Sequence, residues 1–215
     1  MKTRDRIIQA SLELFNEHGE RTITTNHIAA HIEISPGNLY YHFRNKQEII
    51  REIFAWYSAE LLERFAPWQG KHESLTLLKH YLDSIFNLMW KYRFFYANLP
   101  EILQRDQELH LSYTQVQDKL QINLIHIVQV FVDMQLLELT SDEIKKLVTT
   151  LHLIASSWLA YQSVMSARVA ITEQVIHQGM LQILAVMKPN ATAQGLEQLE
   201  LLEQGVLTIH ANSIS

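Results

Sequence analysis

Residues 24–46 read TTNHIAAHIEISPGNLYYHFRNK, two short helical patterns on either side of a tight turn. Thr24 or Thr25 caps the first by accepting from a backbone N–H two or three residues on. Ile28, Ala29 and Ile32 recur at helical spacing and give that helix one apolar face, while Asn26, His27 and Ala30 face elsewhere. Ser35 is a strong N-cap. Pro36 suits the first helical position, because its fixed φ matches the helix and its missing N–H is one that a helix start leaves unpaired anyway. Leu39 and Phe43, four apart, anchor the second helix and leave Gly37, Asn38, Tyr40, Tyr41 and His42 pointing away from the core. Such a helix has the make-up of a DNA reader: glycine allows close approach to a groove, asparagine can pair with adenine, and a tyrosine ring can contact a thymine methyl. The competing role for Tyr40 and His42 is capping or packing on a protein–protein surface.

This pattern resembles the tetracycline-repressor (TetR) family of bacterial transcriptional regulators. The matching positions are Ile7, Ile8, Ala10, Leu14-Phe15, His18-Gly19, Thr24-Thr25, Ile28-Ala29, Ile34-Ser35, Gly37, Leu39-Tyr40, His42-Phe43 and Lys46, all in one register over about the first fifty residues. The resemblance implies an all-α chain: a three-helix helix-turn-helix DNA-binding domain over residues 1–50, then a larger helical ligand-binding and dimerisation domain over 51–205. It implies a homodimeric repressor that releases a palindromic operator when a small molecule binds the C-terminal domain. By position, it puts Pro36, Gly37, Asn38 and Tyr41 near base edges, and Thr24, Thr25, Tyr40, His42 and Lys46 on phosphates, with Ser35 opening the reading helix. At Lys46 the helix N-terminus and the cation would act together on a phosphate. One position departs: Glu33 stands where the family usually has the turn glycine. Either the turn differs slightly or a side chain is held at positive φ, at a cost of about 1 kcal/mol.

The 215-residue chain is 47% hydrophobic and can bury a substantial core in one or two domains. It has no cysteine, which removes disulfides, thiolate metal sites and thiol nucleophiles and suits a reducing cytoplasm. The start, MKTRDRIIQA, lacks the apolar run of a signal peptide, and no stretch of about eighteen apolar residues occurs. The expectation is a soluble, cytoplasmic protein without membrane contact. Formal net charge is −5, but residues 1–51 carry seven cations (Lys2, Arg4, Arg6, Arg21, Arg44, Lys46, Arg51) against six acids, so the head is +1 and the body −6. A nearly neutral head binds DNA only if its few cations cluster on the docking face, and few phosphate contacts give a modest salt slope.

Helix signals dominate the rest. The first helix runs from Thr3 to His18 with Gly19 as its stop. Asn45 caps a long helix from Lys46 to near Pro67 that joins head to body. After a connector, QGKHES, a helix covers Ser74 to Tyr92; RFFYANLPEIL follows, with Pro100 expected to force a new start. Glu108 to Met134 reads as a very long helix whose second half is apolar on most sides, hence central. Thr140-Ser141-Asp142-Glu143 is a capping box for a helix to about Met165. A strong helix follows from Thr172 to Met187, then a weak one over 190–205, and residues 206–215 read as a flexible tail.

Two of these helices offer apolar stripes, Val148, Leu151, Ala155 and Leu159 on one and Ile176, Met180, Ile183 and Leu184 on the other. Periodicity alone leaves open whether they face their own core; the resemblance makes Leu151, Ala155, Leu159, Ile176, Met180, Ile183 and Leu184 a dimer interface. Aromatic residues concentrate in the body, and Phe86, Met89, Trp90, Tyr113, Gln117, Leu120 and Trp158 supply the mostly apolar wall with a few polar groups that a ligand pocket needs. Ordinary core packing is the competing role for each. The scarcity of Lys and Arg in these segments points to an apolar or mildly polar ligand. His27 and His31, four apart, lack the acid of a zinc hydrolase motif, since Ile28 stands there, and no nucleophile elbow or phosphate loop frames any Ser/His/Asp combination. No metal, cofactor or catalytic residue is expected. The alternative functional reading is a DNA-binding structural or interaction protein whose helical body holds a protein partner instead of a small ligand.

Overall fold

The computed structural model describes residues 2–68, 73–165 and 171–212. The start of the connector at 69–72 and the final positions of the expected tail, 213–215, lie outside them. Among the described residues the chain is all α: α1 Thr3–His18, α2 Thr25–His31, α3 Pro36–His42, α4 Lys46–Arg64, α5 Ser74–Lys91, α6 Arg93–Arg105, α7 Gln107–Asp133, α8 Ser141–Met165, α9 Glu173–Met187 and α10 Ala193–Asn212. No described helix is long and apolar enough to cross a membrane.

Local chemistry sets most of the boundaries. α1 ends at Gly19, whose φ of 82° lets its N–H return to the carbonyl of Phe15. Asn45 caps α4 by accepting from the Glu48 N–H at 2.9 Å, and Asp106 caps α7 by accepting from the Leu109 N–H at 3.0 Å. The expected capping box opens α8: the Thr140 N–H donates to Glu143 at 2.8 Å, and the Glu143 N–H donates back to the Thr140 hydroxyl at 3.4 Å.

α4 is the structural bridge. Ile49, Ile50 and Ile53 are buried near its start, and Phe54, Tyr57 and Leu61 farther along; it packs on α1 at one end and on α5 and α7 beyond it. α7 packs on α4, α6 and α8. Its second half is not enclosed all round, since Ile122 and His126 stay exposed while Ile127, Val128 and Phe131 are buried.

Two further expectations fail along the chain. Pro100 does not force a new start: α6 runs unbroken through it, because the break falls earlier, at Tyr92. The proline lies exposed, and buried Phe94, Phe95, Tyr96 and Ile102 on either side hold both halves of the helix against the core despite the missing N–H. The chain beyond 205 is not loose up to 212 either: α10 continues to Asn212, with Val206 buried. The start of α10 is fixed by an antiparallel bridge between Leu137 and Ala191 and by the Thr192 hydroxyl, which donates to the carbonyl of Gln135 at 2.7 Å and accepts from the Gly195 N–H at 3.0 Å.

Candidate functional site

α3 is held from one side and presented on the other. Its N-cap, Ser35, accepts from the Asn38 N–H at 3.1 Å, with Pro36 directly after it. Leu39 is 0% and Phe43 2% exposed, while Tyr41 is 85% exposed. Pro36, Gly37, Asn38 and Tyr40 are exposed as well, and His42 is half-buried. α2 supports α3 through a 3.0 Å hydrogen bond between the hydroxyls of Thr25 and Tyr40. Thr24, rather than Thr25, is the cap of α2: its hydroxyl accepts from the His27 N–H and its own N–H donates to His27 Nδ1, each at 3.3 Å. Glu33 has a φ of 58°, so the turn keeps the glycine-like conformation and carries the strain of a side chain there.

Lys46 departs from its expected place on a phosphate. Its side chain is 20% exposed, pairs with Glu20 at 2.9 Å and donates to the carbonyls of Glu20 at 2.7 Å and Ile23 at 3.1 Å. The cation is held there by three acceptors inside the domain. Other head cations are similarly engaged: Arg4 with Glu52, Arg21 with Glu101 and Arg51 with Asp106 and Glu108. Arg44, one of the seven head cations but not among the positions expected on DNA, is exposed two residues beyond α3; its guanidinium has no ion pair or hydrogen bond among the described residues. Its adjacency to α3 was the available signal.

The engaged cations tie head to body. Glu20, buried just after α1, also accepts from Arg105 at the end of α6 at 2.9 Å. Burial alone would raise the Glu20 pKa, but hydrogen bonds from Arg105 and Lys46 outweigh it and hold the carboxyl below its ordinary value. Arg51 grips both oxygens of Asp106, at 2.7 and 2.9 Å; there too burial is overcome, and the pKa is lowered. Asn16 of α1 clasps the α5–α6 corner, donating to the Lys91 carbonyl at 2.8 Å and accepting from the Phe94 N–H at 3.1 Å.

In the body, α4 to α9 with Leu202 of α10 enclose a cavity of about 120 Å³. Met89, Tyr113, Gln117 and Leu120 line it; Phe86, Trp90 and Trp158 do not. Phe86 stacks on His177 with ring centroids 4.7 Å apart, the Arg93 guanidinium covers Trp90 at 4.2 Å, and the Trp158 indole donates to the Val175 carbonyl at 2.6 Å. These three rings are occupied as packing. Residues not singled out from the sequence complete the wall, among them Tyr57, Tyr96, Leu99, His152 and Ser156. The hydroxyls of Tyr57 and Tyr96 pair at 3.1 Å, and burial pushes both phenols up. Burial lowers His152, keeping it neutral at neutral pH. Among the described residues, no Asp, Glu, Lys or Arg lines it.

The expected dimer stripes turn inward. Leu159, Ile176, Met180, Ile183 and Leu184 are buried within the protomer, and Leu151 and Ala155 are half-buried in the cavity wall. A side chain already covered by its own chain has little area left for a partner. The outward face of α8 instead carries Leu153, Tyr161, Val164 and Met165, with Val164 81% exposed. α8 and α9 approach closely because Gly179 has no Cβ; one placed there would stand 2.7 Å from the Trp158 ring.

Comparison with known proteins follows the same division of the chain. Residues 7–53 match the profile of "Bacterial regulatory proteins, tetR family", and residues 56–199 match the TetR profile described as "Bacterial transcriptional repressor". The chain is 36% identical over 85 residues to the HTH-type transcriptional regulator UidR of Escherichia coli, covering 36% of this chain and 43% of that one. It is 33% identical over 92 residues to the regulator QacR of Staphylococcus aureus, covering 43% and 48%. The matched region thus spans less than half of either relative. Over nearly its whole length, the chain is similar to the crystal structure of a TetR-family regulator from Marinobacter aquaeolei VT8, with 35% identity, a TM-score of 0.83, and coverage of 96% of this chain and 99% of that one. The chain belongs to the TetR family of bacterial transcriptional regulators.

Proposed function

We propose that this protein is a homodimeric transcriptional repressor that reads a palindromic operator with α3 and releases it when a small uncharged molecule enters the body cavity. The observation that carries the reading is the two-sided α3, anchored by Leu39 and Phe43 and presenting Asn38, Tyr40 and Tyr41 outward beside Gly37. Asn38 and Tyr41 meet base edges and Gly37 admits the helix into the groove, while Thr24, Thr25 and Tyr40 bond phosphates with help from Arg44. Two heads related by a two-fold axis require half-sites about one helical turn or a little more apart.

Coupling runs through α6. Phe95, Tyr96 and Leu99 face the cavity, while Glu101 and Arg105 of the same helix hold Arg21 and Glu20 of the head. A ligand that displaces the cavity face of α6 moves the head with it, changes the separation of the two reading helices and lowers operator affinity. A neutral, mainly apolar cavity favours a small-molecule effector over a protein partner, which would engage a surface. Selecting genomic fragments with the purified protein tests the proposal: recovery of a recurrent inverted repeat supports it, and recovery of unrelated sequences at low ionic strength contradicts it.

A further inference from the structure

Resting on the reading of the cavity as the effector site, we infer that its ligand is a small neutral alcohol or phenol whose hydroxyl group bonds Gln117. The Oε1 of Gln117 is sealed from solvent and has no hydrogen-bond partner among the described residues, yet the side chain lines the cavity. A buried acceptor left open is costly, and a ligand that supplies a donor there gains affinity by removing the deficit. The other polar groups narrow the chemistry. The Tyr57 and Tyr96 hydroxyls already bond one another, and among the described residues the wall offers no Asp, Glu, Lys or Arg side chain to pair with a charged ligand. A carboxylate has neither a donor for Oε1 nor a counter-ion here, and a ketone has no donor. A hydroxyl group donates to Oε1 and brings no second polar atom that would need a partner.

Size sets the rest. The cavity is about 120 Å³, whereas an apolar cavity of roughly 150 Å³ takes up benzene. The two volumes are of the same order, which limits the ligand to one six-membered ring with small substituents or an alkyl body of similar bulk.

Calorimetric titration of the full-length protein at neutral pH with three probes of one shape, p-cresol, toluene and p-toluate, tests the inference. p-Cresol is expected to bind about tenfold or more tighter than toluene, the scale of one buried hydrogen bond, and p-toluate not to bind. Gln117→Leu, which keeps side-chain bulk, should abolish the preference, bringing p-cresol and toluene to the same affinity. Toluene binding as tightly as p-cresol, preferred binding of p-toluate, or an unchanged preference in Gln117→Leu would overturn the alcohol assignment while leaving the cavity a ligand site. Failure of all three probes to bind would overturn the assignment together with the cavity reading it rests on.

Discussion

Glu20 and Arg105, 85 residues apart in sequence, meet through a 2.9 Å hydrogen bond that joins the loop after α1 to the last residue of α6. The same carboxylate takes Lys46 from the start of α4. Three elements of head and body therefore converge on one buried charge. Lys46→Ala removes the partner that is itself mostly covered, leaving Glu20 with Arg105 alone. Because a buried carboxylate short of partners is expensive, the variant should lose about 2 kcal/mol of folding stability in urea unfolding. An unchanged midpoint would show that solvent already satisfies Glu20.

The pH dependence has a definite sign. The Glu20 and Asp106 carboxyls are held below their ordinary values in the folded protein, because Arg105, Lys46 and Arg51 outweigh burial. Their contribution to stability is complete above the unfolded carboxylate values near pH 4 and is lost progressively as pH falls through the lowered folded values. Acid unfolding followed by circular dichroism should therefore steepen below about pH 4. Glu20→Gln should flatten that limb, and equal acid limbs in both proteins would remove Glu20 from the linkage.

The Arg44 guanidinium stands beside α3 with no ion pair or hydrogen bond among the described residues. Arg44→Ala should weaken binding to specific and random duplexes alike, and each lost phosphate contact should reduce the slope of log K against log salt by about 0.9. For a dimer with one Arg44 per half-site, the expected reduction is about 2. Fluorescence anisotropy across a salt series measures it, and an unaltered slope would place Arg44 away from the phosphates.

Association should depend on the outer face of α8. Val164→Asp or Leu153→Asp should shift the protein from dimer to monomer in sedimentation velocity, with monomer stability changed by no more than about 0.5 kcal/mol, as both positions are exposed in the protomer. Persistence of the dimer in both variants would assign association to another surface.

The two glycines of α10 should respond oppositely. A Cβ on Gly195 would lie 1.9 Å from the carbonyl oxygen of Leu136, while one on Gly205 would meet nothing within 4 Å. Gly195→Ala should cost about 3 kcal/mol or more, since backbone has to move, and Gly205→Ala should gain about 0.5–1 kcal/mol from helix propensity. Thermal unfolding of the pair checks both signs, and destabilisation by Gly205→Ala would mean that its exposed face is covered in the assembly.

The parts of the fold that follow from neighbours along the chain were legible in the sequence. Ser35-Pro36, Asn45 and Thr140 through Glu143 act within a turn of themselves, so each helix start they mark falls where its chemistry requires. Contacts between distant segments were not legible. Lys46 reads as an open helix-terminal cation until the fold brings Glu20 beside it, and nothing local to either residue announces the pairing. The same holds for the stripes of α8 and α9. Both helices are apolar on more than one side, so periodicity finds a stripe but not its direction, and Leu159 and Ile176 face inward while Val164 faces out. In the cavity, Tyr113, Gln117 and Met89 were within reach because they combine polarity or flexibility with apolar neighbours. Trp158 has the aromatic, mostly apolar character of a pocket wall, yet its indole N–H is satisfied by Val175 and its ring fills the space above Gly179.

The most direct measurement is anisotropy titration of Tyr41→Ala, side by side with the native protein, against a selected operator duplex and a random duplex of the same length. If α3 enters the major groove, the substitution should weaken the operator complex by about 1–3 kcal/mol, relax base preference at one position in each half-site, and leave the random duplex almost unaffected. Equal weakening on both duplexes, or none on either, would contradict the placement of α3 against the bases.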